Sequence, residues 1–101
     1  MMARKRHART FIFRLLPEEW AAVQEAAARD HRLPGAWIRL AALEAVGQAL
    51  DDDGTRATRN DRPVGVALTQ EERAAFQAEA ARLGLSLAAW MRLAALRRLR
   101  G

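Results

Sequence analysis

Residues 36–43 read AWIRLAAL, and residues 89–96 read AWMRLAAL. These octapeptides differ only at Ile38 against Met91 and lie 53 residues apart. Extending the comparison outward at the same shift needs no gap. Between residues 9–43 and 62–96, 17 of 35 positions are identical. Glu18-Glu19 match Glu71-Glu72, Ala21-Ala22 match Ala74-Ala75, and Arg29 matches Arg82. Alanine matches arise readily in an alanine-rich chain. The paired Trp37 and Trp90, each followed two residues on by arginine, are not of that kind. The chain therefore carries an internal duplication, and one unit of a repeat can be unable to bury its apolar face alone.

Working back from the octapeptide, each copy divides into three elements. The octapeptide belongs to a helix that begins at Ser86, a good N-cap, and near Leu33-Pro34 in the first copy. Trp37, Ile38, Leu40, Ala41, Ala42, Ala45 and Val46 make that helix apolar almost all round, so it needs cover on several sides. A second helix precedes it, with Val23 and Ala27, or Phe76 and Ala80, at i, i+4 spacing. Thr69 and Glu72 form a capping box at its start, and Pro17 suits the first helical position of the other copy. Gly84 suits a left-handed C-terminal turn, whereas His31 stands there in the first copy and predicts a turn either more strained or differently built. Furthest upstream the pattern alternates. Phe11, Phe13 and Leu15 share one side of a strand, as do Val64, Val66 and Leu68. So short a strand needs a partner, and the equivalent strand of the other copy is the obvious one.

Residues 1–8 then form a basic arm, 9–46 the first repeat, 47–61 a linker and 62–101 the second repeat. The linker holds Gly47, Gly54 and the run Asp51-Asp52-Asp53, which lacks the spaced ligands of a calcium loop. With 101 residues, the two halves must share one core. The first sixteen residues carry arginine without acid, as some transit peptides do, but their apolar part is too short for a secretory segment. No apolar run approaches the roughly 20 residues that cross a bilayer, so no membrane role is expected.

Seventeen Lys and Arg against twelve Asp and Glu give a net charge of +5, and Lys5 is the only lysine. That balance suits a polyanionic partner. Cysteine and tyrosine are absent, which removes disulfides, thiol nucleophiles and cysteine-based zinc sites. His7 and His31 have no nucleophile or metal partner in sequence, no glycine-rich phosphate loop occurs, and the carboxylates gather in first helical turns. Neither an enzyme nor a bound cofactor is expected.

In its order of elements the chain resembles the ribbon-helix-helix family of Arc/MetJ-type DNA-binding proteins. The resemblance covers about 35 residues of each copy, and PEEWAAVQEAAA and AWIRLAAL are also similar to plasmid mobilisation accessory proteins and ribbon-helix-helix antitoxins. It implies a mainly α fold. Two strand–helix–helix repeats would intertwine as a pseudo-dimer around a two-stranded antiparallel β-ribbon, which enters the major groove of double-stranded DNA. The implied role is sequence-specific DNA binding, as a transcriptional repressor or a plasmid or mobile-element protein in the bacterial cytoplasm. Copies lined up on adjacent sites are a further implication. The competing reading is a relaxosome accessory or antitoxin-like protein whose main partner is a relaxase or toxin, with Trp20 on the contact face.

By register the outward ribbon side chains of the first copy are Thr10, Ile12 and Arg14. Arginine can donate two bonds to guanine, and threonine and isoleucine can meet a thymine methyl. A solvated strand residue is the alternative for Arg14. The second copy departs from the pattern, with Pro63, Gly65 and Ala67 outward and Arg62 as the nearby polar reader. Gly65 either lets backbone approach the DNA or marks an irregular strand. Both readings stay open in the sequence, but the ribbon is lopsided and a fully palindromic site is in doubt. Phosphate contacts are expected at two helix starts, Pro34 and Gly35 (after Leu33) and Ser86, Leu87 and Ala88, where N–H groups and the helix dipole favour an anion; the first is the weaker, since Pro34 removes a donor and Leu33 has no hydroxyl. The arm and its junction add Arg4, Lys5, Arg6 and Arg9. Arg97, Arg98 and Arg100 suit the negative end of a helix dipole instead.

Overall fold

A computed structural model describes residues 9–52, 54, 58 and 60–101. Its elements run β1 (Arg9–Leu15), α1 (Pro17–Arg29), α2 (Pro34–Ala45), β2 (Arg62–Leu68), α3 (Gln70–Arg82) and α4 (Leu87–Leu99). The two strands pair antiparallel without interruption, from Arg9 opposite Leu68 to Leu15 opposite Arg62. The central pair is Ile12 and Gly65, which lie 53 residues apart, the shift that aligns the two octapeptides.

Alternation decides which side of this small sheet is covered. Phe13, Leu15, Val64, Val66 and Leu68 are buried against the helices, with Phe11 half-buried at the edge of the same row. The helices cross over: α2 packs on β2, α4 packs on β1, and α2 and α4 pack on each other. Their alanines, Ala41, Ala42, Ala45, Ala94 and Ala95, are buried where the helices meet. Trp37 and Trp90 are both buried, and Trp90 stacks on Phe76 with ring centroids 5.2 Å apart. Neither indole is a platform for a base.

Capping chemistry sets the helix ends. In α3 the Thr69 hydroxyl accepts from the Glu72 N–H at 3.1 Å, and the Glu72 carboxylate accepts from the Thr69 N–H at 3.0 Å. At α1, Leu16 has no oxygen to offer, and only the return bond forms, Leu16 N–H to Glu19 at 2.9 Å. Both helices close with the same turn. Arg32 N–H donates to Ala27 C=O at 2.9 Å, and Leu85 N–H to Ala80 C=O at 2.8 Å. His31, with φ of 57°, takes the left-handed position that Gly84 takes with φ of 72°, so the strain expected at His31 is present.

The segment after α2 is more than a tether. Gly47 N–H donates to the Glu79 carboxylate of α3 at 2.9 Å, and Leu50 packs on the core. Glu79 is held below its ordinary carboxylate range by the Arg82 side chain first and this N–H second. Asp61 N–H closes a turn on the Thr58 carbonyl at 3.0 Å, directly ahead of β2. Among the described residues no helix is long and apolar enough to cross a membrane.

Candidate nucleic-acid interface

The ribbon's uncovered face carries Thr10, Ile12 and Arg14 from β1 and Pro63, Gly65 and Ala67 from β2. Ile12 is 62% exposed at the centre of the ribbon, an apolar side chain left on the uncovered face. Thr10 is exposed beside Ala67, and Arg14 is half-buried beside Pro63. Arg14 Nη1 donates to the Asp61 carbonyl at 2.9 Å, which draws the guanidinium to the end of the ribbon. That bond uses one of the five N–H donors of an arginine.

Gly65 has a physical cause that local sequence does not display. A Cβ built there would lie 2.9 Å from Thr10 Cγ2, closer than real Cβ contacts. The threonine methyl occupies the space a side chain would need. The unbroken register removes the irregular-strand reading.

Arg62 requires a correction. It shares the row of Val64, Val66 and Leu68, so it lies off the outward face, and its guanidinium sits over the Trp20 ring at 5.1 Å. Arg73, 53 residues after Trp20, lies over Phe11 at 5.2 Å. Two cations therefore flank the helix side of the ribbon through aromatic rings. The sequence did carry a signal for Arg62: two-residue periodicity puts it in phase with Val64. Arg73 offered none, since its partner is on the other copy. Arg9, exposed at the start of β1, belongs to the row of Phe11.

First-turn N–H groups of a helix lack an intrahelical acceptor. In α2 these belong to Gly35 and Ala36, because Pro34 has no N–H and can contribute only its fixed φ. Ala36 thus supplies the second N–H of this first turn. In α4 they belong to Leu87 and Ala88, while the Ser86 hydroxyl accepts from Ala89 N–H at 3.1 Å and caps its own helix. Gly35 lies against β2, where a Cβ would be 3.1 Å from the Gly65 carbonyl oxygen. Arg4, Lys5 and Arg6 lie outside the described residues.

Behind the ribbon two carboxylates hold the helix layer. Glu19 accepts from Arg92 Nε at 3.0 Å and also from its Nη2. Glu72 accepts from Arg39 Nε at 3.0 Å and likewise from Nη2. The Arg39 hydrogen bond is the main cause holding Glu72 below its ordinary carboxylate value, and Arg39 is raised in return. At the far ends of α1 and α4, a cleft of about 350 Å³ is lined by Trp37, Arg29, Asp30, Glu44, Arg97 and Arg98, among others. Arg98 bonds both Glu44 and Asp30 and covers the Trp37 ring at 5.3 Å, a structural use of this C-terminal cation. No group of three His, Cys, Asp or Glu side chains converges among the described residues.

Compared with family models, curated proteins and solved structures, the chain matches none.

Proposed function

We propose that the chain is a single-chain ribbon-helix-helix unit, two interlocked halves forming a pseudo-dimer, that binds double-stranded DNA with its ribbon in the major groove. The observation that carries this reading is the uncovered ribbon face, where Thr10, Ile12 and Arg14 project on a two-stranded ladder backed by helices. A major groove about 12 Å wide admits such a ribbon. Interlocking is supported by the exchange of partners between halves. Each copy's last helix packs on the other copy's strand, and each copy's Glu bonds the other copy's Arg. Phosphate contacts fall to the first turns of α2 and α4 and to the basic arm, in keeping with the +5 charge. The biological role is repression of transcription or organisation of plasmid or mobile-element DNA.

The protein-partner reading has a different surface from the one its sequence suggests. Trp20 lies half-buried under Arg62, whereas Leu43 and Val46 are exposed one turn apart on and just after α2. A partner-binding role would use that pair.

Titration of a labelled duplex across salt concentrations tests the DNA reading. Neutralising roughly four to six phosphates makes log affinity fall against log salt with a slope of about −4 to −5. A flat line would remove the electrostatic component. Arg14→Ala is expected to cost about 1–3 kcal/mol on a preferred duplex and less on random DNA. Equal losses on both would make Arg14 a phosphate contact.

A further inference from the structure

We infer that the preferred duplex is an asymmetric element of about four or five base pairs, with guanine at the Arg14 end and thymine near its middle. The inference rests on the DNA-binding reading above and goes beyond it in naming the sequence class. Under the duplication Thr10 corresponds to Pro63, Ile12 to Gly65 and Arg14 to Ala67. Every hydrogen-bonding side chain on the outward face therefore belongs to β1. The antiparallel register sets Arg14 beside Pro63 at one end, Ile12 beside Gly65 in the middle and Thr10 beside Ala67 at the other end. Read along the ribbon, the order is guanidinium, branched apolar group, hydroxyl with methyl. β2 does not repeat that order in reverse, as a palindromic element would require.

Two features make this asymmetry a property of the fold. A side chain at Gly65 would have to displace Thr10 Cγ2, which lies 2.9 Å from the Cβ position, so the bare backbone of β2 accommodates the side chain that reads. Arg62, the one cation that β2 could supply, is turned to the helix side over Trp20. The Asp61 carbonyl meanwhile holds Arg14 at the ribbon end. Four residues of antiparallel strand span about 14 Å, on the order of three to four base-pair steps. Arginine is the best match for guanine O6 and N7 there, and Ile12 meets a thymine methyl.

Enrichment from a random duplex pool by the full chain, followed by sequencing, tests this. The expected result is a core that is not self-complementary, with one terminal guanine. Arg14→Ala should erase that guanine alone and weaken binding to the enriched duplex about tenfold, with random duplex changed by no more than about twofold. Pro63→Thr combined with Ala67→Arg rebuilds the β1 row on β2 at two exposed positions, and circular dichroism checks that the variant is folded. Its enriched core should become self-complementary at both ends. A palindromic core for the unmodified chain, or tight binding without enrichment, overturns the inference and leaves DNA binding standing. Failure to retain any duplex overturns both.

Discussion

Arg92 and Arg39 stand at matching places in the two octapeptides, and each grips a glutamate from the other half of the chain through the same two nitrogens. Their surroundings differ. The Arg92 and Glu19 side chains are 6% and 11% exposed, against 41% and 13% for Arg39 and Glu72. The cause is the helix each arginine sits on. Trp90 to Leu96 of α4 are buried without a break, with β1, α1, α2 and α3 packed around that helix. On α2, Leu43 stays exposed, as does Val46 just beyond the helix. The two pairs share their chemistry, but context sets its energetic weight.

Truncating each arginine in turn breaks or sharpens this comparison. Arg92→Ala leaves the Glu19 carboxylate in a largely dry site without its main partner, at an expected cost of about 3–5 kcal/mol. Arg39→Ala removes a pair whose cation is partly solvated, and the expected cost is about 1 kcal/mol or less. Urea denaturation midpoints measure both. Equal losses would mean that burial does not distinguish the two pairs.

A smaller effect is expected from pH on the solvated pair. The Arg39 bond, aided by the Thr69 N–H and hydroxyl and opposed by desolvation, lowers the Glu72 pKa from its ordinary 4.5 in the folded protein. A depressed carboxylate binds its proton more weakly folded than unfolded. Its contribution is therefore complete above about pH 4.5 and is lost as pH falls through the lowered folded value. The gap between the parent and Arg39→Ala in urea midpoint should hold at neutral pH and narrow progressively below 4.5. A gap that persists unchanged down to strongly acid pH would show that the pair acts through packing of the arginine stem.

Much of this arrangement is legible in the residues because it depends on local periods. Phe13 and Leu15 alternate with Ile12 and Arg14, and Val23 and Ala27 repeat every helical turn, so strand, helix and facing row follow from spacing alone. The Thr69–Glu72 box and Pro17 mark helix starts within a few positions. What escapes is non-local. Glu72 lies 33 residues from Arg39 and Glu19 lies 73 from Arg92, and no spacing rule joins them. The crowding at Gly65 comes from a threonine on the opposite strand. Arg62 is a different case, legible in the sequence through its two-residue phase with Val64.

The smallest effect concerns the turn that both halves share. His31 and Gly84 occupy the same left-handed position with matching backbone hydrogen bonds, and at that position the turns differ by the side chain that His31 carries. An L-residue pays about 1–2 kcal/mol for that conformation, while glycine adopts it freely but loses more freedom on folding. The two terms partly cancel. His31→Gly is therefore expected to stabilise the protein by about 0.5 kcal/mol, and Gly84→Ala to destabilise it by about 1 kcal/mol. Thermal midpoints resolve this, because 1 kcal/mol moves a domain of about this size by roughly 4–8 °C. Opposite signs at equivalent positions would tie the difference to the Cβ alone. A loss at both would show that the His31 ring makes a compensating contact, and the two turns would then be alike only in backbone.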